Sequence, residues 1–173
     1  EFRRVLFRSD KPGDSVSRGV FGQRTFVFTD NLDVINRLYF DLLSAEGRNS
    51  YGDPDMRNAP DGGLAVLRET GTSYARYANG QDWRFCEELH GSLNRRLAVK
   101  RVSSQDRGVD PAADVVVATA VLEVGFDDPA VGAVIQHKAP RGMAGFLQRK
   151  GRGGRTRGMR PWTVVVLSDY GRD

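Results

Sequence analysis

The run Asp114-Val115-Val116-Val117-Ala118-Thr119 constrains the fold more than any other stretch of the chain. Three consecutive valines present no polar face, so a strand there has to be covered on both sides, as in a parallel sheet flanked by helices. Three further runs suit the same sheet: Thr25–Thr29, Leu97–Ser103 and Val131–His137. Thr163-Val164-Val165-Val166-Leu167 reads as a last buried strand, opened by Pro161 and Trp162. Helical patterns lie between them. Asp30 and Asn31 are good N-caps, and after them Val34, Ile35, Leu38, Tyr39, Leu42 and Leu43 recur at helical spacing. That helix should stop near Gly47. Gln81–Leu93 and Gly142–Arg149 read as further helices. Strands alternating with helices imply an α/β domain.

The flanks and one internal segment break this pattern. Residues 1–10, which include Arg4-Val5-Leu6-Phe7-Arg8-Ser9, resemble a translated sequencing-adapter scar, and the residues up to 22 read as a linker. The folded domain is therefore expected over 23–173, cut at both ends. Residues 46–81 are rich in Gly, Asn, Asp and Pro and read as a solvated, loop-rich insertion with a short helix at Leu64–Glu69. Its Tyr74, Arg76 and Tyr77 have the character to stack on bases.

Chemistry concentrates in Gln148-Arg149-Lys150-Gly151-Arg152-Gly153-Gly154-Arg155, with four cations and three glycines in eight residues. Glycines allow close backbone approach to a polyphosphate, and the planar fork of arginine matches phosphate oxygens. Arg152 and Arg155, three apart, would share a face on a helix. A basic segment of this kind also suits plain nucleic-acid binding. The net charge of +4 points to an anionic partner as well. One cysteine excludes an internal disulfide and fits a reducing compartment, hence a cytoplasmic protein. Two scattered histidines offer no zinc spacing, so no metal site is expected. No apolar run approaches the length of a membrane span.

The eight residues resemble motif VI of the superfamily 2 helicases, Gln/His-x-x-Gly-Arg-x-Gly-Arg, at every defining position. Ala118-Thr119 followed by Gly125 and Asp127 resembles motif V, Ala-Thr-x-x-x-x-x-Gly-x-Asp. The strand and capped turn at Thr25–Asn31 are similar to motif IV. DEAD-box proteins commonly carry Arg before the motif V glycine and His at the head of motif VI. Val124 and Gln148 stand there instead, which favours a broader superfamily 2 relative. Gln105-Asp106-Arg107 departs from the Gln-x-x-Arg spacing of the family and inherits no role.

The resemblance implies a RecA-like fold of the P-loop NTPase type, namely the second RecA-like domain of an ATP-dependent helicase or translocase. It implies that Thr119 contacts the nucleic-acid backbone and that Gly125 lets that strand approach. It further implies that Asp127 bonds the ATP ribose, that Gln148 bonds the nucleotide or nearby backbone, and that Arg152 and Arg155 face its phosphates. Arg155 is the first choice as arginine finger, whereas Arg149, Lys150 and Arg157 are read as solvated or backbone-contacting charges. Since functional groups of open α/β sheets collect at the carboxyl ends of strands, Thr119, Gly125 and Asp127 are expected there. The chain has no Gly-Lys and no Asp-Glu dipeptide. The phosphate loop and the carboxylates that hold Mg2+ would therefore belong to a partner N-terminal RecA-like domain of the same parent, leaving this domain inactive alone. The nucleic acid is read as DNA slightly before RNA. A non-catalytic α/β module that binds nucleic acid through the Gly/Arg loop is the alternative reading.

Overall fold

Residues 22–60, 62–63, 96–102, 109–118, 127–140 and 142–167 are described by the structure, a computed structural model. Their elements run β1 (Arg24–Phe28), α1 (Leu32–Ala45), β2 (Val99–Val102), β3 (Val115–Ala118), β4 (Val131–His137), α2 (Met143–Lys150) and β5 (Trp162–Val166). The helices expected at Leu64–Glu69 and Gln81–Leu93 lie outside the described residues, as do Tyr74, Arg76 and Tyr77. The strands form one parallel sheet in the order β2-β3-β1-β4-β5.

Strand alternation divides the core in two. Phe26 and Phe28 of β1 join Val116 and Ala118 of β3 and Val131 and Val134 of β4 on one face. Val27, Val115 and Val117 point the other way, where Ile35 and Leu43 of α1 meet them. The three valines of β3 are therefore buried between two layers. A fully buried Phe or Leu of this kind contributes roughly 1.5–3 kcal/mol by transfer from water. Helix α1 starts as its sequence demands, with the Asn31 side chain accepting from the Asp33 N–H at 2.8 Å. It ends at Glu46, and Gly47 turns the chain out at φ 62°.

One finding departs from the sequence reading. Among the described residues strand β5 is an edge strand paired with β4, and it is not buried: Val166 is 48% and Leu167 61% exposed. Apolarity made the strand, but position in the sheet set its burial, and that position follows from topology. Residues 46–60 run as turns, exposed at most positions from Ser50 on, and side chains bond them to the sheet. The Arg48 side chain donates to the carbonyls of Leu97 and Gly52, each at 2.6 Å, and to that of Arg96 at 3.2 Å. Arg96 returns a bond to the Ala59 carbonyl at 2.6 Å. Asp55 accepts from the N–H groups of Arg57 and Asn58, which folds the segment upon itself. Satisfied backbone groups, rather than apolar burial, hold this segment against the entry to β2.

Candidate functional site

Helix α2 leads into the Gly/Arg loop and places it. Arg149 and Lys150 sit in its last turn, where cations favour the helix dipole. The helix ends at Gly151, whose N–H bonds the Leu147 carbonyl at 2.9 Å. The chain then turns toward the start of β4. The Gly154 N–H donates to the Val131 carbonyl at 2.9 Å, and Thr156 Oγ1 donates to the Pro129 carbonyl at 2.8 Å. Gly154 adopts φ 75°, and a Cβ there would lie 2.4 Å from Pro161 Cγ. A Cβ on Gly153 would press on Pro161 and Val134 at 3.3 Å. Close approach of backbone to the chain's own core, rather than to a phosphate, is what requires glycine at 154.

This loop brings Arg155 to Asp127. Arg155 donates to Asp127 Oδ1 at 2.7 Å, and its Nε donates to the Gly151 carbonyl at 3.1 Å. The arginine side chain is 37% exposed and the carboxylate 70%, so the pair is open to solvent. Two motifs distant in sequence thus meet at one point. Gln148 lies exposed on α2, while Lys150 and Arg157 are exposed as expected. Thr119 and Gly125 lie outside the described residues. Among the described residues, no cluster of His, Cys, Asp and Glu could hold a metal ion.

Three site expectations need correcting. Arg152 and Arg155 share no helical face: α2 ends before both, and Arg152 is buried at 8% exposure while Arg155 is exposed. Glycine-rich turns after Lys150 replace the helical geometry that a spacing of three assumes. Asp127 is not at the carboxyl ends of the strands but just ahead of Val131, the first residue of β4. In a parallel sheet the connection from β3 must return to the starting edge before β4 begins, and Asp127 comes at the end of that return. Arg149 is not solvated. It is 6% exposed, pairs with Asp30, donates to Gln136 Oε1 at 2.6 Å, and lies over the Phe28 ring at 5.7 Å.

Sequence reasoning also missed Arg24 and Asp128. Arg24 Nε donates to the Ala113 carbonyl at 2.9 Å and its NH2 to the Pro111 carbonyl at 2.6 Å, while its NH1 pairs with Asp128. Asp128 also accepts from the Ala130 N–H at 2.8 Å. This cluster ties the starting edges of β1, β3 and β4 together directly beside Asp127. A lone Arg at the head of an apolar run was the one available signal, and it does not reveal a partner so far along the chain.

The five-stranded parallel sheet, with α1 on one face and α2 on the other, is an open α/β fold. Residues 74–157 match the family model described as Helicase conserved C-terminal domain. A RecQ-like DNA helicase of Caenorhabditis elegans, blm-1, is 35% identical over 82 residues, which are 47% of this chain and 8% of that protein. Among solved structures, the Mycobacterium smegmatis helicase Lhr bound to ssDNA and AMP-PNP aligns at 20% identity and a TM-score of 0.48, over 83% of this chain and 15% of that one. The yeast DEAD-box splicing factor Prp28 aligns at 18% identity and a TM-score of 0.34, over 83% and 29% respectively. Over residues 74–157 the chain is therefore similar to a helicase C-terminal domain. It spans under a tenth of the length of the curated relative it matches.

Proposed function

We propose that residues 23–173 form the second RecA-like half of an ATP-dependent helicase or translocase that acts in the cytoplasm. A preceding RecA-like domain of the same parent would complete the ATP site and hold Mg2+. The observation that carries this reading is the 2.7 Å contact between Arg155 and Asp127. A guanidinium suits the phosphates of a nucleotide and a carboxylate suits the hydroxyls of its sugar. Both side chains are solvent-accessible, so they fit a nucleotide arriving from outside this domain. ATP, when bound across the two domains, supplies the phosphoryl group whose transfer drives the motor. Sugar and terminal phosphate are apart in a nucleotide, so Arg155 has to leave Asp127 to reach the phosphates. An exposed ion pair resists this by only about 0–1 kcal/mol.

In this reading Arg155 and Arg152 stabilise the charge that spreads over the transferring group, and Gln148 bonds the nucleotide or adjacent backbone. Thr119 and Gly125 grip the nucleic acid by its backbone, so binding is weakly sequence-specific and falls with salt. DNA is favoured as substrate, because the curated relative is described as a DNA helicase. The test is Arg155→Ala in the parent protein. ATP turnover should fall by roughly 10³-fold or more while nucleotide binding persists. Unchanged turnover defeats the reading and leaves a nucleic-acid-binding module.

A further inference from the structure

The chain leaves β1 through α1 toward β2, and leaves β4 through α2 toward β5. With β1 and β4 adjacent, these two connections depart to opposite sides of the sheet. The crevice between the carboxyl ends of β1 and β4 is therefore its topological switch point, where open α/β sheets ordinarily take ligands. Here the crevice is filled by the chain's own Arg149. Gln136 near the end of β4 accepts from NH1 at 2.6 Å, Asp30 just beyond β1 pairs with NH2, and Phe28 of β1 lies under the guanidinium. The Arg149 side chain is 7% exposed and that of Asp30 20%.

A buried ion pair is a costly way to seat an eight-residue helix, because both charges lose water and an apolar side chain would serve at less desolvation cost. What the pair adds is direction. A planar guanidinium with two fixed acceptors and a ring beneath it has little freedom to rotate or slide. The backbone continues this constraint into the loop, since the Arg152 N–H donates to the Arg149 carbonyl at 3.0 Å.

We propose that Arg149 is a positioning residue. Held by Asp30 and Gln136, it fixes the carboxyl end of α2 against β1 and β4, and so sets where Arg152 and Arg155 stand. This rests on the reading that Arg155 acts on a nucleotide.

The test uses the full-length parent enzyme and steady-state ATP turnover. Arg149→Gln should lower kcat about tenfold with the KM for ATP within about twofold, because misplaced arginines lose transition-state contacts more than ground-state ones. Asp30→Asn should lower kcat about threefold, and the double variant should be no slower than Arg149→Gln alone, as expected of residues acting through one contact. A role confined to stability would lower the melting temperature and leave kcat per folded molecule unchanged, which overturns the proposal. Independent, multiplying effects of the two substitutions overturn it as well. Should Arg149→Gln not fold, Asp30→Asn decides alone, and wild-type kcat in that variant is the refuting result. A silent Arg155→Ala would instead remove the functional reading beneath, so the two failures are distinguishable.

Discussion

Gly154→Ala should destabilise the domain through two separable costs. The residue sits at φ 75°, where an L side chain crowds its own carbonyl at roughly 1–2 kcal/mol. Its new Cβ would lie 2.4 Å from Pro161 Cγ and 2.6 Å from Pro161 Cδ. Pro161 cannot swing clear as a flexible chain end would, because its ring is closed onto the backbone that enters β5. Forced overpacking of this kind costs about 1–3 kcal/mol. The sum, about 2–5 kcal/mol, is a large part of the roughly 5–15 kcal/mol that holds a typical domain together. At about 2–4 °C per kcal/mol for chains of this size, melting should fall by at least ~4 °C, measured by circular dichroism on the 173-residue chain. The second variant separates the costs. In Gly154→Ala/Pro161→Ala the Cγ and Cδ contacts vanish and the 2.9 Å contact with Cβ remains. Compared with Pro161→Ala alone, part of the loss should return and the φ cost should stay. Melting of Gly154→Ala within about 2 °C of wild type, against the ~4 °C or more expected, would refute the claim that the loop is glycine-bound by its own packing.

Neighbouring carboxylates should behave differently: Asp128→Ala removes the buried charged partner of the part-buried Arg24 and should cost up to about 3 kcal/mol in urea unfolding, while Asp127→Ala removes an exposed partner of Arg155 and should cost less than about 1 kcal/mol. Equal effects would contradict the burial that divides them. The Asn58 N–H, the Asn58 side chain and the Arg57 N–H hold the Asp55 carboxyl below its ordinary value, and the Ala112 N–H and Lys100 do the same for Asp110. A depressed folded pKa gives stability that is complete above the unfolded value, near 3.9, and is lost as pH falls through the lower folded value. The urea midpoint of Asp55→Asn/Asp110→Asn should therefore fall less than that of wild type on acidification below about pH 4; parallel curves would refute it.

Much of the fold was legible because local patterns decided it. Val115–Val117 had no polar face to offer solvent, and Asn31 with Gly47 bracketed a helix whose apolar residues return at the right spacing. Those signals act within a few residues, so they survive without knowledge of the rest. The motif residues were legible for another reason, since Asp127 and Arg155 carry a resemblance that names them. Their contact, however, depends on how loop 151–156 is bonded back to Pro129 and Val131.

Burial was the property the sequence left open. Arg149 and Lys150 are adjacent cations, and Asp127 and Asp128 adjacent carboxylates, yet each pair has one buried and one exposed member. The exposed valines of β5 and the buried ones of β3 are equally apolar, and only neighbouring strands distinguish them. By itself the sequence determined which residues form strands and helices, and which segment concentrates positive charge, because both follow from short-range sterics and composition. Tertiary structure alone decided which charges face water and which face Asp30 or Asp128. Desolvation depends on atoms brought in from far along the chain, and no local pattern encodes them.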